Sequence, residues 1–144
     1  MKKLILTALV AIAIGASSFA ASTVNEKATS HFAKTFAAAK NVAWKSDLNY
    51  SKVAFVENGE QMEAFYSADG SLIATSKSYA FDKLPATALK IITKEYQYPS
   101  YSLKDCIEVT NEYGEKSYYV SMKNKSGDLV LQVSLSGDID EFLG

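Results

Sequence analysis

Most of the chain after residue 41 alternates apolar and polar residues with a period of two, which is typical of strands in a sheet with one buried face. The strictest runs are Lys116–Asn124 and Asp128–Leu135, where tyrosine, valine, leucine and methionine recur at every second position. The predicted strands are Val42–Trp44, Tyr50–Glu57, Glu60–Ser67, Ser71–Tyr79, Tyr101–Thr110, Lys116–Asn124, Asp128–Leu135 and Ile139–Phe142.

Two segments have the spacing of amphipathic helices instead. Thr23–Lys40 places alanine and phenylalanine on one stripe, and Thr23 with Glu26 fits a capping box at its start. The second predicted helix is Leu84–Tyr96, where Pro85 suits the first turn.

A hairpin unit occurs twice. The first copy is Asn58–Lys77, and a looser copy is Tyr113–Ser134, in which Gly114-Glu115 corresponds to Gly59-Glu60. The pattern therefore predicts an α+β domain of two tandem repeats, residues 23–80 and 81–144, each a helix followed by four strands. About eight strands form a largely antiparallel sheet, and both helices pack on one of its faces.

The first twenty residues predict an export signal. A basic start precedes the apolar run Leu4–Gly15, and Ser18 and Ala20 are the small residues of a cleavage site after Ala20. The apolar run is shorter than a membrane span. We expect a periplasmic or secreted protein that is not inserted in the membrane after cleavage, with one domain over residues 21–144.

Charge argues against nucleic-acid partners. Without Lys2 and Lys3, the 15 basic residues fall to 13 against 16 acidic ones, and every basic residue is lysine. Arginine is the usual residue for bidentate recognition of phosphate and guanine, and no basic cluster replaces it here.

No constellation for catalysis or metal binding stands out. His31 is the single histidine and Cys106 the single cysteine, which leaves no paired ligands for zinc and no second histidine for a triad. We read His31 as a boundary residue of the first helix. The sequence predicts no cofactor and no enzyme.

The sheet face opposite the helices is the best candidate for contact with a partner. Strict alternation places Tyr119 there, and Phe65 joins it if Met62, Ala64 and Tyr66 point inward. Exposed aromatic side chains suit protein or peptide contacts, although strands are rich in aromatics for structural reasons too.

Alternation also places Cys106 on that wetter face, together with Lys104, Glu108 and Thr110. An exposed unpaired thiol in an exported protein indicates an intermolecular disulfide or an oxidation-prone site. The alternative is a buried, inert cysteine covered by its neighbours. Trp44 is likewise open to two readings, a binding anchor or a core residue between helix and sheet.

One set of motifs follows the signal sequence in this order: Phe32-x3-Phe36, Val42-Ala43-Trp44, Ala64–Gly70 and Leu84-Pro85. In these residues the mature chain resembles the exported PepSY-like proteins of Bacteroidetes. The resemblance implies the fold of the beta-lactamase-inhibitor protein, built from tandem repeats of a helix and four strands. The second repeat departs from the pattern, because no tryptophan follows its helix and Lys125-Ser126-Gly127-Asp128 replaces the Asp-Gly turn.

The leading hypothesis is an exported, non-enzymatic module that binds a protein or peptide partner of the cell envelope through the open sheet face, as a monomer or weak dimer. One alternative is an inhibitor of an exported peptidase or other hydrolase, which the resemblance suggests. A second alternative is a carrier of a small apolar ligand.

Overall fold

The computed structural model describes residues 23–142, so the predicted signal sequence lies outside the described residues. The helices are α1 (Glu26–Thr35) and α2 (Ala86–Glu95), and a short 3-10 helix covers Phe81–Lys83. The strands are β1 (Lys40–Ser46), β2 (Tyr50–Glu57), β3 (Glu60–Ser67), β4 (Leu72–Ser78), β5 (Ser102–Asn111), β6 (Lys116–Asn124), β7 (Gly127–Val133) and β8 (Ile139–Phe142).

The eight strands form a single antiparallel sheet in chain order, from β1 to β8. With two helices, this confirms the predicted α+β class. The described chain divides into two compact units. The first unit contains residues 23–77 and 110–115, and the second contains residues 78–109 and 116–142.

The first unit packs α1 on one face of its strands. Ala28 and Phe32 are the buried positions of this helix, and they meet Val53 and Phe55 of β2. Trp44 of β1 is partly buried against the same cluster, and its ring lies 5.4 Å from that of Phe32. Trp44 is therefore a core residue between helix and strands.

The start of α1 differs from the prediction. Asn25, and not Thr23, caps the helix, because its Oδ1 accepts a hydrogen bond from the Lys27 amide at 2.8 Å. The predicted end at Lys40 is also wrong. Phe36 already leaves the helical conformation at φ −118° and ψ 54°, and Lys40 begins β1.

The second unit packs α2 in the same manner. Ala88 and Ile92 are buried against Val120 of β6 and Leu131 of β7. Pro85 is the N-cap of this helix, one position before the first turn in which the sequence placed it. No side chain caps the α2 amides there, whereas Asn25 does so in α1.

The hairpin turns correct the predicted alignment of the repeats. Asn58 and Gly59 both have positive φ, 52° and 82°, as the predicted two-residue turn between β2 and β3 requires. Gly114 lies between β5 and β6, so it is not the counterpart of Gly59. The counterpart of Gly70, between β3 and β4, is Gly137, between β7 and β8, and not the Lys125–Asp128 turn.

Both of these turn glycines lie against the helix of their own unit. A Cβ atom on Gly70 would stand 3.0 Å from the Ala28 amide nitrogen, and one on Gly137 would stand 3.2 Å from the Ala88 amide nitrogen. Ala28 and Ala88 are the buried alanines of the two helices. Each unit therefore closes its last hairpin on the first turn of its helix.

Candidate functional site

The second unit carries an open groove of about 370 Å³ beside the C-terminal half of α2. Its floor and walls come from the 3-10 helix, α2, the segment that joins α2 to β5, the start of β5, and β6. The lining is mostly apolar: Phe81, Ile92, Thr93, Tyr96, Gln97, Tyr98, Tyr101, Ser102, Leu103 and Met122. Its volume lies near the lower end of the range for ligand pockets, and much of it is open to solvent.

Two side chains of the groove project into solvent. Tyr98 is 85% exposed and Leu103 is 49% exposed, although both are large and apolar for most of their surface. The segment that joins α2 to β5 is closed by a backbone hydrogen bond, which the Tyr101 amide donates to the Gln97 carbonyl at 2.9 Å. Tyr98 and Leu103 extend the apolar surface of the groove into solvent.

Negative charge lies at the Tyr96 end of the groove. The Tyr96 hydroxyl donates a hydrogen bond to Glu141 Oε1 at 3.2 Å. Partial burial raises the pKa of Tyr96, and the hydrogen bond and charge of Glu141 raise it further, with a smaller effect of Glu95. Both carboxylates therefore act on the phenol that forms this end of the groove.

The first unit fills the corresponding space with its own rings. Phe32 and Phe36 of α1 stand where Ile92 and Tyr96 stand on α2, each 60 residues earlier. The ring of Phe32 lies 5.3 Å from that of Phe36 and 5.0 Å from that of Phe55. With Trp44 added, four aromatic side chains close the first unit beneath its helix. The second unit has no tryptophan, its core holds Tyr79 and Tyr118 with ring centroids 4.6 Å apart, and the groove beside Tyr96 lies open.

Phe65, predicted to be an exposed partner contact, is only 2% exposed. The predicted register is correct, because Ala64 and Tyr66 belong to the core beneath α1 and Phe65 points to the opposite face. That face is nevertheless covered. Lys52 lies directly opposite Phe65 on β2, and its side chain stays 11% exposed while its ammonium pairs with Glu63 at 2.7 Å.

Tyr119 is 1% exposed, so the predicted exposure is wrong here as well. Its ring meets the edge of Phe142 at 5.8 Å, and Gln132 lies directly opposite on β7. Within residues 23–142, the Tyr119 hydroxyl is the buried side-chain group without a hydrogen-bond partner. Burial raises the pKa of Tyr119. The nearby Ser117 side chain offsets part of this rise, although the two hydroxyls do not meet the geometry of a hydrogen bond.

Cys106 lies in the core of the second unit and not on the wetter face. It is 5% exposed and packs with Val120 and Met122. The period of two does not hold between Leu103 and Cys106, which are three residues apart. Leu103 lines the groove together with Met122, and Cys106 shares the core cluster with Met122. Between them, the Asp105 side chain accepts a hydrogen bond from the Cys106 amide. Burial, aided by the Asp105 charge, raises the pKa of the thiol to about 12.

This burial supports the inert-cysteine alternative. A thiol with so high a pKa stays protonated at neutral pH, and the thiolate is the reactive form. The intermolecular disulfide of Cys106 stays a prediction, but the exposure on which it depended is absent.

His31 is half-buried at the edge of α1, as its boundary reading requires. Its Nδ1 lies 3.1 Å from the Tyr66 hydroxyl, and its Nε2 lies 3.4 Å from the Thr35 hydroxyl. Within residues 23–142, no group of three or more histidine, cysteine, aspartate and glutamate side chains is placed to hold a metal ion. No helix in that same range has the length and apolar character needed to cross a membrane.

Comparisons with known proteins give a fold and no family. No protein-family model matches the chain, and no curated protein matches it. Solved structures do match. A DUF2874 family protein from Bacteroides uniformis is 14% identical with a TM-score of 0.68, over 81% of this chain and 86% of that one.

Two further structures agree. A BLIP-like protein from Bacteroides fragilis is 17% identical with a TM-score of 0.66, over 84% of this chain and 86% of that one. A Bacteroides eggerthii protein, named for an inferred periplasmic location, is 13% identical with a TM-score of 0.67, over 83% of this chain and 90% of that one. At these identities the likeness establishes the BLIP-like fold alone.

Sequence reasoning missed the groove. Its residues come from five places in the chain, and alternation reports only the two sides of a strand. Two signals were present in the sequence. Tyr96, Tyr98 and Tyr101 crowd the segment after α2, and the second repeat lacks the tryptophan that follows the first helix.

Proposed function

We propose that this chain is an exported, non-catalytic module that binds a protein or peptide partner in the periplasm or outside the cell. The observation that carries the proposal is the groove of the second unit, with Tyr98 and Leu103 exposed at its edge. The predicted signal sequence supports export, and so does the Bacteroides eggerthii protein with the same fold. Membership of the PepSY-like proteins is part of the same proposal.

The groove is a better candidate for the contact than the sheet face predicted first. Phe65 and Tyr119 offer 2% and 1% of their surface to a partner, whereas Tyr98 offers 85%. Alanine at Phe65 or Tyr119 would remove a buried ring and lower stability by about 3–5 kcal/mol, so it would report on folding and not on contact. Binding through that face stays a prediction.

The two alternatives have less support. Inhibition of an exported peptidase or other hydrolase draws only on the BLIP-like fold, and fold alone does not establish activity. A small apolar ligand would remain partly in water, since Tyr98 and Leu103 at the edge are exposed themselves. An extended peptide places one side chain in such a groove and rests the remainder on its edge.

Capture from the envelope fraction of the source organism tests the proposal. The mature protein, residues 21–144, is compared with the double variant Tyr98→Ala and Leu103→Ser. We expect the double variant to lose most of the captured partner, because both side chains belong to the groove and removal of exposed residues leaves the core intact.

The matched control is the double variant Tyr113→Ala and Leu135→Ser, whose side chains are 67% and 60% exposed outside the groove. It should capture as much partner as the unmodified protein. Equal capture by the groove variant and the control would contradict the proposal, as would the absence of any partner retained specifically by the unmodified protein. Urea unfolding of all three proteins establishes that each is folded.

A further inference from the structure

The occupant of the groove has a chemistry that the surrounding residues indicate. Its exposed surface is mostly aromatic and aliphatic, chiefly from Tyr96, Tyr98 and Leu103, over a floor in which Ile92 and Met122 are 1% and 4% exposed. The polar groups in its lining are largely committed already: the Thr93 hydroxyl donates to the Leu89 carbonyl at 2.6 Å, and the Gln97 amide donates to the Thr93 carbonyl at 3.1 Å. A polar occupant would find few partners here, whereas an apolar one removes surface from water.

The charges beside the groove indicate which charged side chain its occupant carries. Glu141 lies directly opposite Leu131, so its side chain points to the α2 side of the sheet and reaches Tyr96. Glu95 is the last residue of α2; Lys94 precedes it, and its neighbours one turn earlier, Ile91 and Ile92, carry no charge. Within residues 23–142, neither carboxylate is in an ion pair, while the nearest cation along β5, Lys104, is held by Asp128 at 3.2 Å.

Aromatic rings with carboxylates beside them attract cations. A lysine or arginine side chain gains from the faces of tyrosine rings and from the negative charge behind them. Tyr96 and Tyr101 already meet edge to face at 5.1 Å, and Tyr98 stands exposed on the segment between them. A basic residue next to the apolar one would therefore lie over tyrosine rings and near Glu141.

We propose that this groove binds a peptide segment in which an apolar side chain neighbours a lysine or arginine. The apolar side chain packs against Tyr98 and Leu103, the two side chains of the groove that are exposed. The basic side chain lies at the Tyr96 end, near Glu95 and Glu141. The inference rests on the proposed function, because it names the partner chemistry of the same groove.

Calorimetric titration of the mature protein with capped hexapeptides tests the inference. Three peptides differ only at two central positions, which are Trp-Lys, Trp-Glu and Ala-Lys. We expect Trp-Lys to bind about ten-fold more tightly than Ala-Lys, from burial of the ring. We expect it to bind roughly five-fold more tightly than Trp-Glu, a preference that shrinks at about 0.5 M salt because exposed charges are screened.

Variants connect these preferences to residues. Tyr98→Ala should weaken both tryptophan peptides. Glu141→Gln should narrow the preference for Trp-Lys over Trp-Glu by about two-fold while the amide oxygen still accepts from Tyr96. Glu26→Gln, an equal change in charge on α1 of the first unit, should leave all three affinities unchanged.

The inference is overturned if Trp-Glu or Ala-Lys binds as tightly as Trp-Lys, or if no peptide binds. Tryptamine, a free aromatic amine, serves as the small-molecule arm: binding as tight as that of the peptide would overturn the peptide assignment. None of these results decides whether the groove binds a partner at all, which the capture experiment tests separately. Loss of capture with the groove variant and not with its control would still support a partner of different chemistry.

Discussion

Two tyrosines with the same burial differ in what their hydroxyls contact. Tyr66 is 0% exposed, and its hydroxyl lies 3.1 Å from His31 Nδ1. Tyr119 is 1% exposed, and its hydroxyl has no partner within residues 23–142. A buried polar group without a hydrogen bond costs free energy, whereas a bonded one contributes about 1 kcal/mol.

Removal of the two hydroxyls should therefore have opposite effects. We expect Tyr66→Phe to lower the free energy of unfolding by about 1 kcal/mol, and Tyr119→Phe to leave it unchanged or raise it by up to about 1 kcal/mol. Urea unfolding monitored by fluorescence measures both changes. An equal loss in the two variants would show that the Tyr119 hydroxyl is satisfied, contrary to our account.

For single residues, the sequence predicts the sheet face on which a side chain lies better than it predicts how exposed that side chain is. Alternation placed Phe65 and Tyr119 on the face opposite the helices, and that placement agrees with the structure. Alternation cannot report what covers that face, which depends on cross-strand neighbours such as Lys52 and on rings such as Phe142. For Cys106 even the direction failed, because this side chain lies in the core beneath α2 and not on the opposite face.

At the scale of elements, the contact between the last hairpin and the helix of each unit is the feature that the sequence did not predict. Gly70 and Gly59 have almost equal φ, 81° and 82°. A Cβ on Gly70 would meet Asn25 Oδ1 at 2.7 Å and Lys27 Cβ at 2.9 Å, whereas one on Gly59 would meet nothing within 4 Å. A comparison of alanine substitutions at Gly59 and Gly70 therefore distinguishes the cost of backbone strain from the cost of contact with the helix.

We expect Gly59→Ala to lower the free energy of unfolding by about 1 kcal/mol, the cost of a left-handed conformation without glycine. Gly70→Ala should lose at least about 1 kcal/mol more, because Asn25 and α1 must shift to admit the methyl group. Urea midpoints of the two variants measure the difference. Equal losses would mean that the turn does not rest on the helix.

Gly137 of the second unit and Gly114 of the first offer the same comparison with a smaller expected difference. A Cβ on Gly137 would stand 3.0 Å from Thr87 Cβ, whereas Gly114, at a similar φ, has open space around it. Gly137→Ala should therefore cost more than Gly114→Ala, by less than the difference in the first unit. Since the four glycines have similar φ, we expect the loss of stability among the four variants to follow the distance from the added Cβ atom to its nearest neighbours.

For the whole molecule, the sequence was sufficient for the class and the strand count, because strict alternation and turn residues mark each hairpin locally. Four strands, Tyr50–Glu57, Glu60–Ser67, Lys116–Asn124 and Ile139–Phe142, have the predicted bounds. Helix ends were less certain, since Ala-rich segments continue the helical pattern past the residues at which the backbone turns. The groove was out of reach, because it depends on how α2, its connecting segment and β5 pack together.

Photo-crosslinking in intact cells tests the central claim, that the groove of the second unit holds the partner. Benzoyl-phenylalanine replaces Tyr98 in one strain and Tyr113 in another, both of them exposed tyrosines. Our account predicts a discrete crosslinked adduct from position 98 and none of that size from position 113. No adduct from position 98, or the same adduct from both positions, would contradict it.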